Sequence, residues 1–360
     1  MLIAPNSPIS TDPDFDNEIF NASFPSSEQH NVSDNSPCLT CGFVNVNGLY
    51  KKSMYPDFNN FINNYDIICL AETKCYDDLT IPGFTVYHKQ RSSFINKSGG
   101  ITIAARNSIA QHITQLQSNS EYALWIKINK RLCQLGDDIL LGACYIPPEG
   151  SRYANIDAFV EIQNELLPHA RDNKTPVILM GDFNAKTATV NEILHMEDLD
   201  RTLPLSNILQ VRNINFTRVS QDRNRPNNYG HKLLDMCKTT ELIILNGRCG
   251  EDKHLGATTC NSSSVIDYAL VNYGCLDNFH MNFKVHEFSH LLSDVHNHIS
   301  ISLSPMININ HLSPSKYPEL SDQSPSARET VTNKSKPSVH ITHQTVFHTH
   351  LIEHKWRVQT

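Results

Sequence analysis

Between residues 41 and 304 the chain carries nine short apolar runs rich in β-branched and aromatic side chains, and this series restricts the fold more than any other feature. The runs are CGFVNVNGL (41–49), DIICLAET (66–73), FTVYHK (84–89), GGITIAAR (99–106), YALWIKIN (122–129), ILLGACYI (139–146), PVILMGDFN (176–184), VIDYALVN (265–272) and ISISLS (299–304). Short runs of this kind read as strands. Helical periodicity is confined to FNNFINNY (58–65), YANIDAFVEIQNELL (153–167) and HKLLDMCKTTEL (231–242). Many strands and few helices fit two sheets packed face to face with helices on their outer sides. The expected class is α+β, a four-layer α/β/β/α sandwich of two packed mixed β-sheets flanked by helices.

The ends of the chain have a different texture. Residues 1–36 hold six acidic side chains and no basic one, among Ser, Pro and Asn, and the first basic residue is Lys51. This reads as a disordered acidic leader, and without a basic n-region it does not resemble a signal peptide. Residues 305–360 are rich in Ser, Pro, Thr and His, including His340, His343, His348, His350 and His354, and read as a disordered polar tail. The expected functional unit is residues 37–304. No apolar run approaches the ~18–20 residues that span a bilayer, so no membrane association is expected. Ten cysteines without an export signal favour an intracellular protein, nuclear or cytoplasmic and not secreted, with free buried thiols. The lone CxxC at Cys38–Cys41 lacks a second half for a zinc site. A net charge of −7 argues against gripping nucleic acid by bulk charge, yet acidic residues gathered around a divalent ion would give the same count.

Polar residues cluster at the ends of these runs. Asn45 and Asn47 close the first, Glu72 the second, Tyr145 follows ACYI, Asp182 and Asn184 end PVILMGDFN, Asp267 sits in VIDY, and Asp294 and His296 precede the last. A strand end holds a polar group rigidly and can aim it into a shared cleft. Converging carboxylates there make a hard-oxygen site suited to Mg²⁺. Beside such a site Asp182 can activate water, the arrangement expected of metal-assisted phosphodiester hydrolysis.

At these residues the chain resembles the endonuclease/exonuclease/phosphatase superfamily. NVNGL (45–49), ICLAETK (68–74), YIPP (145–148), GDFNA (181–185), VIDY (265–268) and SDVH (293–296) stand in that superfamily's order, and 228–260 is similar to the apurinic-type endonuclease of non-LTR (LINE-like) retrotransposons. The resemblance implies a Mg²⁺-dependent (or Mn²⁺-dependent) endonuclease that nicks one DNA strand to leave a 3′-hydroxyl, with DNA as partner and no partner protein evident. It implies Glu72 as principal metal ligand, with Asn47 and Asp294 beside it. Asn45 would hold the phosphate or its neighbours, and Asp182 would orient or deprotonate the attacking water. Asn184 would bind a phosphate oxygen and fix Asp182, His296 would contact the phosphate while oriented by Asp267, and Tyr145 would lie by the phosphate or leaving oxygen. The polar tail stands where a retrotransposon protein would continue into a reverse transcriptase, which implies a free-standing domain. Two departures stand out. Val295 separates Asp294 from His296, which in an extended strand would turn both to one face and raises the choice of His296 or His298 as the residue facing the cleft. The stretch 259–267 is also shorter than usual.

Plainer readings stand beside these. Asp182 and Asn184 can form an Asx turn after a buried strand, Tyr145 can cap its strand, and Asp267 can be a buried carboxylate paired for structure. Arg212, Arg218, Arg223 and Arg225 either track a phosphate backbone or line a hydrated loop. The same fold also serves phosphatases and phosphodiesterases acting on nucleotide, RNA or inositol phosphate, and an inactive retrotransposon remnant would keep the pattern.

Overall fold

The computed structural model describes residues 39–75, 79–90, 99–170, 174–193 and 199–306. The expected acidic leader, and the tail from residue 307 onward, lie outside the described residues. The chain runs β1 (Leu39–Asn45), α1 (Leu49–Lys52), α2 (Pro56–Ile62), β2 (Ile67–Ala71), β3 (Phe84–Lys89), β4 (Ile101–Arg106), α3 (Asn107–Ala110), β5 (Ile113–Gln115), β6 (Ala123–Ile128) and β7 (Ile139–Tyr145). It continues through α4 (Ala158–Ala170), β8 (Val177–Asp182), α5 (Leu199–Val211), α6 (Asn228–Thr240), β9 (Ile243–Ile244), β10 (Asp267–Val271), α7 (Tyr273–Asn278), β11 (Phe279–Val285) and β12 (Ile299–Pro305).

The strands form two six-stranded mixed sheets, ordered β11-β12-β1-β2-β4-β3 and β5-β6-β7-β8-β10-β9. Only β1 with β2 and β7 with β8 pair in parallel. Alternation along each strand builds the layers. Cys41, Phe43, Cys69 and Ile103 of the first sheet meet Ile126, Leu141, Ala143, Ile178 and Met180 of the second in the inter-sheet core. The opposite faces are covered separately. Val44, Ile68 and Leu70 pack with Leu49, Phe58 and Ile62 of α1 and α2, whereas Leu140, Cys144 and Leu179 pack with Phe159, Ile162, Leu233 and Leu234 of α4 and α6. The central strands β1, β2, β4, β7, β8 and β10 are buried on both faces, which is why they read as continuous apolar runs.

Local signals account for the element boundaries. Pro56 opens α2, where its missing N–H costs nothing. The side chain of Asn227 accepts the Gly230 N–H at 2.8 Å to cap α6, so this helix starts three residues before the expected period. Gly142 matters for close approach, because a Cβ there would stand 2.2 Å from the Trp125 ring that lies over β7. Three strands and the helices α1, α3, α5 and α7 fall outside the sequence expectation. β5 and β9 are too short to show a period, and α5 has no clear apolar stripe. β11 alternates Phe279, Met281, Phe283 and Val285 with His280, Asn282 and Lys284, so its signal is present in the sequence.

An ion network sits inside the second sheet's half of the sandwich. Glu192 accepts from Arg248 at 3.0 Å and pairs with Arg218 Nε at 3.3 Å, with all three side chains at most 1 % exposed. Glu192 also accepts the Ile244 N–H at 2.7 Å, and Arg218 reaches Thr187 Oγ1 and the Val190 carbonyl. The network therefore ties the segment after β8 to β9. All nine cysteines among the described residues are buried. We predict that Glu192→Ala, which leaves two buried guanidinium groups uncompensated, destabilises the protein by about 3–5 kcal/mol. Urea unfolding checks this, and a loss below about 1 kcal/mol would contradict it.

Candidate active site

Strand register brings the polar strand ends together. In the second sheet Tyr145 pairs with Asp182, and Asp182 with Asp267, so the three form a row across β7, β8 and β10. The row continues the parity of Ala143, Met180 and Ala269, which face the inter-sheet core. In the first sheet Asn45 continues the inward parity of Cys41 and Phe43, and pairs with Ala71 immediately before Glu72. The two faces meet at one amide. Asn45 Nδ2 donates to Asp182 Oδ2 at 2.8 Å and to Glu72 Oε1 at 3.0 Å. Its Oδ1 accepts the Asn47 N–H.

His296 completes the group from a loop. Its Nδ1 lies 3.1 and 3.0 Å from the Asp267 carboxylate oxygens, and its Nε2 lies 3.9 Å from Asp182 Oδ2. The backbone around it is fastened by Ser293 Oγ, which accepts the His296 N–H, and by Asn297 N–H donating to the Thr259 carbonyl. Asp267 is held in turn by Thr259 Oγ1, which accepts the Ile266 and Asp267 N–H groups at 3.0 Å each, and by Asn246 Nδ2 donating to its carbonyl. Thr259, Asn246 and Ser293 were missed by sequence reasoning. Hydroxyl and amide side chains that grip backbone have no sequence period to betray them.

Burial sets the electrostatics. It pushes the Asp182 carboxyl up, the negative Asp267 adds to this, and the His296 charge with the Asn45 and Asn184 hydrogen bonds opposes it, leaving a pKa of about 7. At His296 burial works downward but is outweighed by Asp267, through charge and hydrogen bond, and by Asp182 and Glu72, which hold the imidazole up at about 10. His296 is thus a cation at neutral pH, with Nε2–H available as a donor. Asp182 is a base that changes charge near neutrality.

The remaining expected residues are distributed as follows. Asn184 N–H donates to Asp182 Oδ1 at 3.0 Å, and its Nδ2 to the Ile146 carbonyl at 2.9 Å. The Asx turn therefore exists, and it positions the carboxylate within the site. Tyr145 is buried in the row described above. Asn47 and Asp294 are hydrogen-bonded to each other at 2.5 Å, but the Asp294 side chain is 61 % exposed and lies 3.8 Å from Lys52 Nζ. The expectation that Asp294 and His296 share a face fails, because Asp294 and Val295 form a bend before β12 and strand alternation does not apply. His298 turns elsewhere. It stacks on His286 at 3.8 Å between ring centroids and meets Phe61 edge-on, and burial holds it down at about 3. Of the four arginines, Arg218 belongs to the buried network, Arg212 Nε binds the Leu276 carbonyl, and Arg223 and Arg225 are exposed.

Two places can be tested for a metal ion. Lys74 Nζ, also missed from sequence, lies 3.1 Å from Glu72 Oε2 and donates to Asn47 Oδ1. Carboxylate and amide oxygens thus already converge on one cation, and this donor set fits a hard divalent ion that displaces the ammonium. Asp182, Asp267 and His296 also offer ligand atoms within 4.8 Å of one another. There the protonated imidazole and the amide hydrogen aimed at Asp182 Oδ2 favour proton chemistry over ligation.

Residues 43–280 match the Endonuclease/Exonuclease/phosphatase family. The chain belongs to this family. No curated protein sequence matches it. Among solved structures, AP endonuclease LMAP from Leishmania major aligns with TM-score 0.52 at 12 % identity, over 75 % of this chain and 89 % of that one. The endonuclease domain of TRAS1, a telomere-specific non-LTR retrotransposon, aligns with TM-score 0.48 at 16 % identity, over 74 % of this chain and 99 % of that one. The APE2 catalytic domain of Xenopus laevis gives TM-score 0.48 at 16 % identity, over 74 % and 93 %. The family's hydrolase fold is therefore the fold of this chain, and its neighbours in structure include nucleases.

The site has a measurable effect on stability. Both groups have folded pKa values above their unfolded ones, so each favours folding when protonated. The His296 contribution is complete below about 6.5 and lost as pH rises through about 10, and that of Asp182 is complete below about 3.8 and lost through about 7. We predict that the metal-free protein loses stability between pH 5 and 10, and that Asp182→Asn is more stable than wild type at pH 8 by on the order of 1–3 kcal/mol. Thermal melting at fixed ionic strength checks both; a lower melting temperature for Asp182→Asn at pH 8 would refute the account.

Proposed function

We propose that this family member is a metal-dependent DNA endonuclease that hydrolyses the bond between phosphorus and the 3′-oxygen and leaves a 3′-hydroxyl, of the kind carried by non-LTR retrotransposons. The observation that carries the reading is the buried Asp182 carboxylate, with a pKa near neutrality, 3.9 Å from the His296 imidazolium. A base and a cationic donor at that spacing suit in-line attack by water on a phosphodiester. The retrotransposon affinity rests on the 228–260 segment.

In this mechanism Asp182 Oδ2 takes a proton from the water as its oxygen bonds to phosphorus, the bond from phosphorus to the 3′-oxygen breaks, and the leaving oxygen takes a proton from solvent. His296 Nε2–H donates to an equatorial phosphate oxygen, where negative charge accumulates, and Asp267 keeps the imidazole protonated and oriented. Asn45 holds Asp182 to Glu72, and Asn184 fixes the other Asp182 oxygen through its backbone. Tyr145 lies in the row beside Asp182, where it meets the phosphate or the leaving oxygen. Glu72 and Asn47, with Asp294 beyond them, would hold Mg²⁺ or Mn²⁺. When bound, such an ion supplies charge neutralisation to the phosphate oxygens.

Relaxation of supercoiled plasmid with and without Mg²⁺ tests the reading. Wild type should nick only with the metal. Asp182→Asn should lose roughly 10²–10⁴ in rate and His296→Ala roughly 10²–10³, with the double variant falling short of the product of the two. His298→Ala should nick like wild type. Glu72→Gln should weaken Mg²⁺ binding in calorimetry by about tenfold or more. Plasmid that stays supercoiled with wild type and Mg²⁺ would overturn the nuclease reading, and unaltered Mg²⁺ affinity would remove Glu72 from the metal site.

A further inference from the structure

Three of the ten large apolar side chains left exposed in the described residues fall within six consecutive positions, Tyr50 at 66 %, Met54 at 62 % and Tyr55 at 57 % exposure. No three of the other seven fall so close together in sequence. Exposed apolar groups gathered in one place mark a contact surface more often than chance does. The sequence there, Leu49-Tyr50-Lys51-Lys52-Ser53-Met54-Tyr55, sets the exposed ammonium of Lys51 among the exposed apolar groups.

The fold holds the patch rigidly and turns it outward. Leu49, Phe58 and Ile62 of α1 and α2 are fully buried and anchor the segment, while Tyr50, Met54 and Tyr55 stay exposed. Backbone bonds seat it beside the candidate active site. Gly48 N–H donates to the Glu72 carbonyl at 2.7 Å and Leu49 N–H to the Thr73 carbonyl at 2.8 Å. Lys52 Nζ donates to the Val46 carbonyl, between Asn45 and Asn47. The first exposed aromatic is thus three residues from Asn47.

We propose that Tyr50, Met54 and Tyr55 form a stacking platform for unpaired nucleotide bases next to the cleaved phosphate, with the exposed Lys51 meeting the adjoining backbone. The inference rests on the nuclease reading and extends it to substrate class: a strand whose bases are unstacked beside the cut, as at an overhang or junction. Base stacking needs exposed flat side chains on a rigid base, and the polyanion needs nearby positive charge. Both occur in this one segment of an otherwise acidic protein. A fully paired duplex keeps its bases in the stack and offers the tyrosines nothing to cover.

Fluorescence anisotropy in EDTA, with the full chain, separates the possibilities. The probes are a labelled duplex with a single-stranded overhang and a blunt duplex of equal length. The double variant Tyr50→Ala/Tyr55→Ala should bind the overhang substrate about tenfold or more weakly, with the blunt duplex affected far less. Tyr50→Phe/Tyr55→Phe keeps the flat rings and should restore the difference. Equal loss on both probes would overturn the platform, as would no loss on either. A change confined to sedimentation would assign the patch to a second copy of the chain and also overturn it. Wild type that prefers the overhang but does not nick plasmid with Mg²⁺ would uphold the platform while the catalytic reading fails.

Discussion

The side-chain amide of Asn45, which gives one hydrogen to Asp182 and the other to Glu72, is the contact through which the two sheets share a site. Each carboxylate belongs to a different sheet, and two acids drawn together at a sandwich edge repel unless a donor lies between them. An amide supplies two donors and no charge. Its oxygen is used as well, by the Asn47 N–H, so the side chain has little freedom to turn. An aspartate at this position would accept only, and would add a third negative charge where the structure has a bridge.

Around that bridge the site concentrates cost. Asp182, Asp267 and His296 are all at most 8 % exposed, and unpaired ionised groups at such depth would be expelled by desolvation alone. They are kept by mutual pairing and by polar side chains that anchor the backbone beneath them. Thr259 holds two consecutive N–H groups at Asp267, and Ser293 holds His296. This second set of contacts explains how a loop residue, His296, can face a strand residue with fixed geometry. The 259–267 stretch contributes directly, since Cys260 pairs with His296 across an isolated bridge.

Much of this was legible in the sequence, for a physical reason. The strands that carry Asn45, Glu72, Tyr145, Asp182 and Asp267 are buried on both faces, so each announces itself as an apolar run with a polar residue at its end. The contact of His296 with Asp267 was implied by the resemblance, whereas the pairing of Asp182 with Asp267 comes from the strand register. What was not legible depends on backbone that leaves regular structure. The bend at Asp294 and Val295 separates two residues that strand alternation would put together, and no local signal distinguishes that bend from a strand. Lys74 is invisible for a related reason. It looks like a surface lysine until the left-handed backbone at Glu72 and Lys74 returns its ammonium to the Glu72 carboxylate.

The buried thiols give the protein a built-in record of its own opening. Cys69 and Cys275 are fully buried in the inter-sheet core, Cys144 lies on the outer face of the second sheet, and Cys237 lies in α6 above it. Burial raises all four thiols far above the ordinary range, so almost no thiolate exists while the layers stay closed. A thiol reagent then reacts only in the fraction of molecules in which a given layer has parted, and the modified position names the layer. Cys260 is held up at about 12, chiefly by burial, and sits against the histidine loop. It would tell separately how often His296 leaves Asp267 while both sheets remain intact.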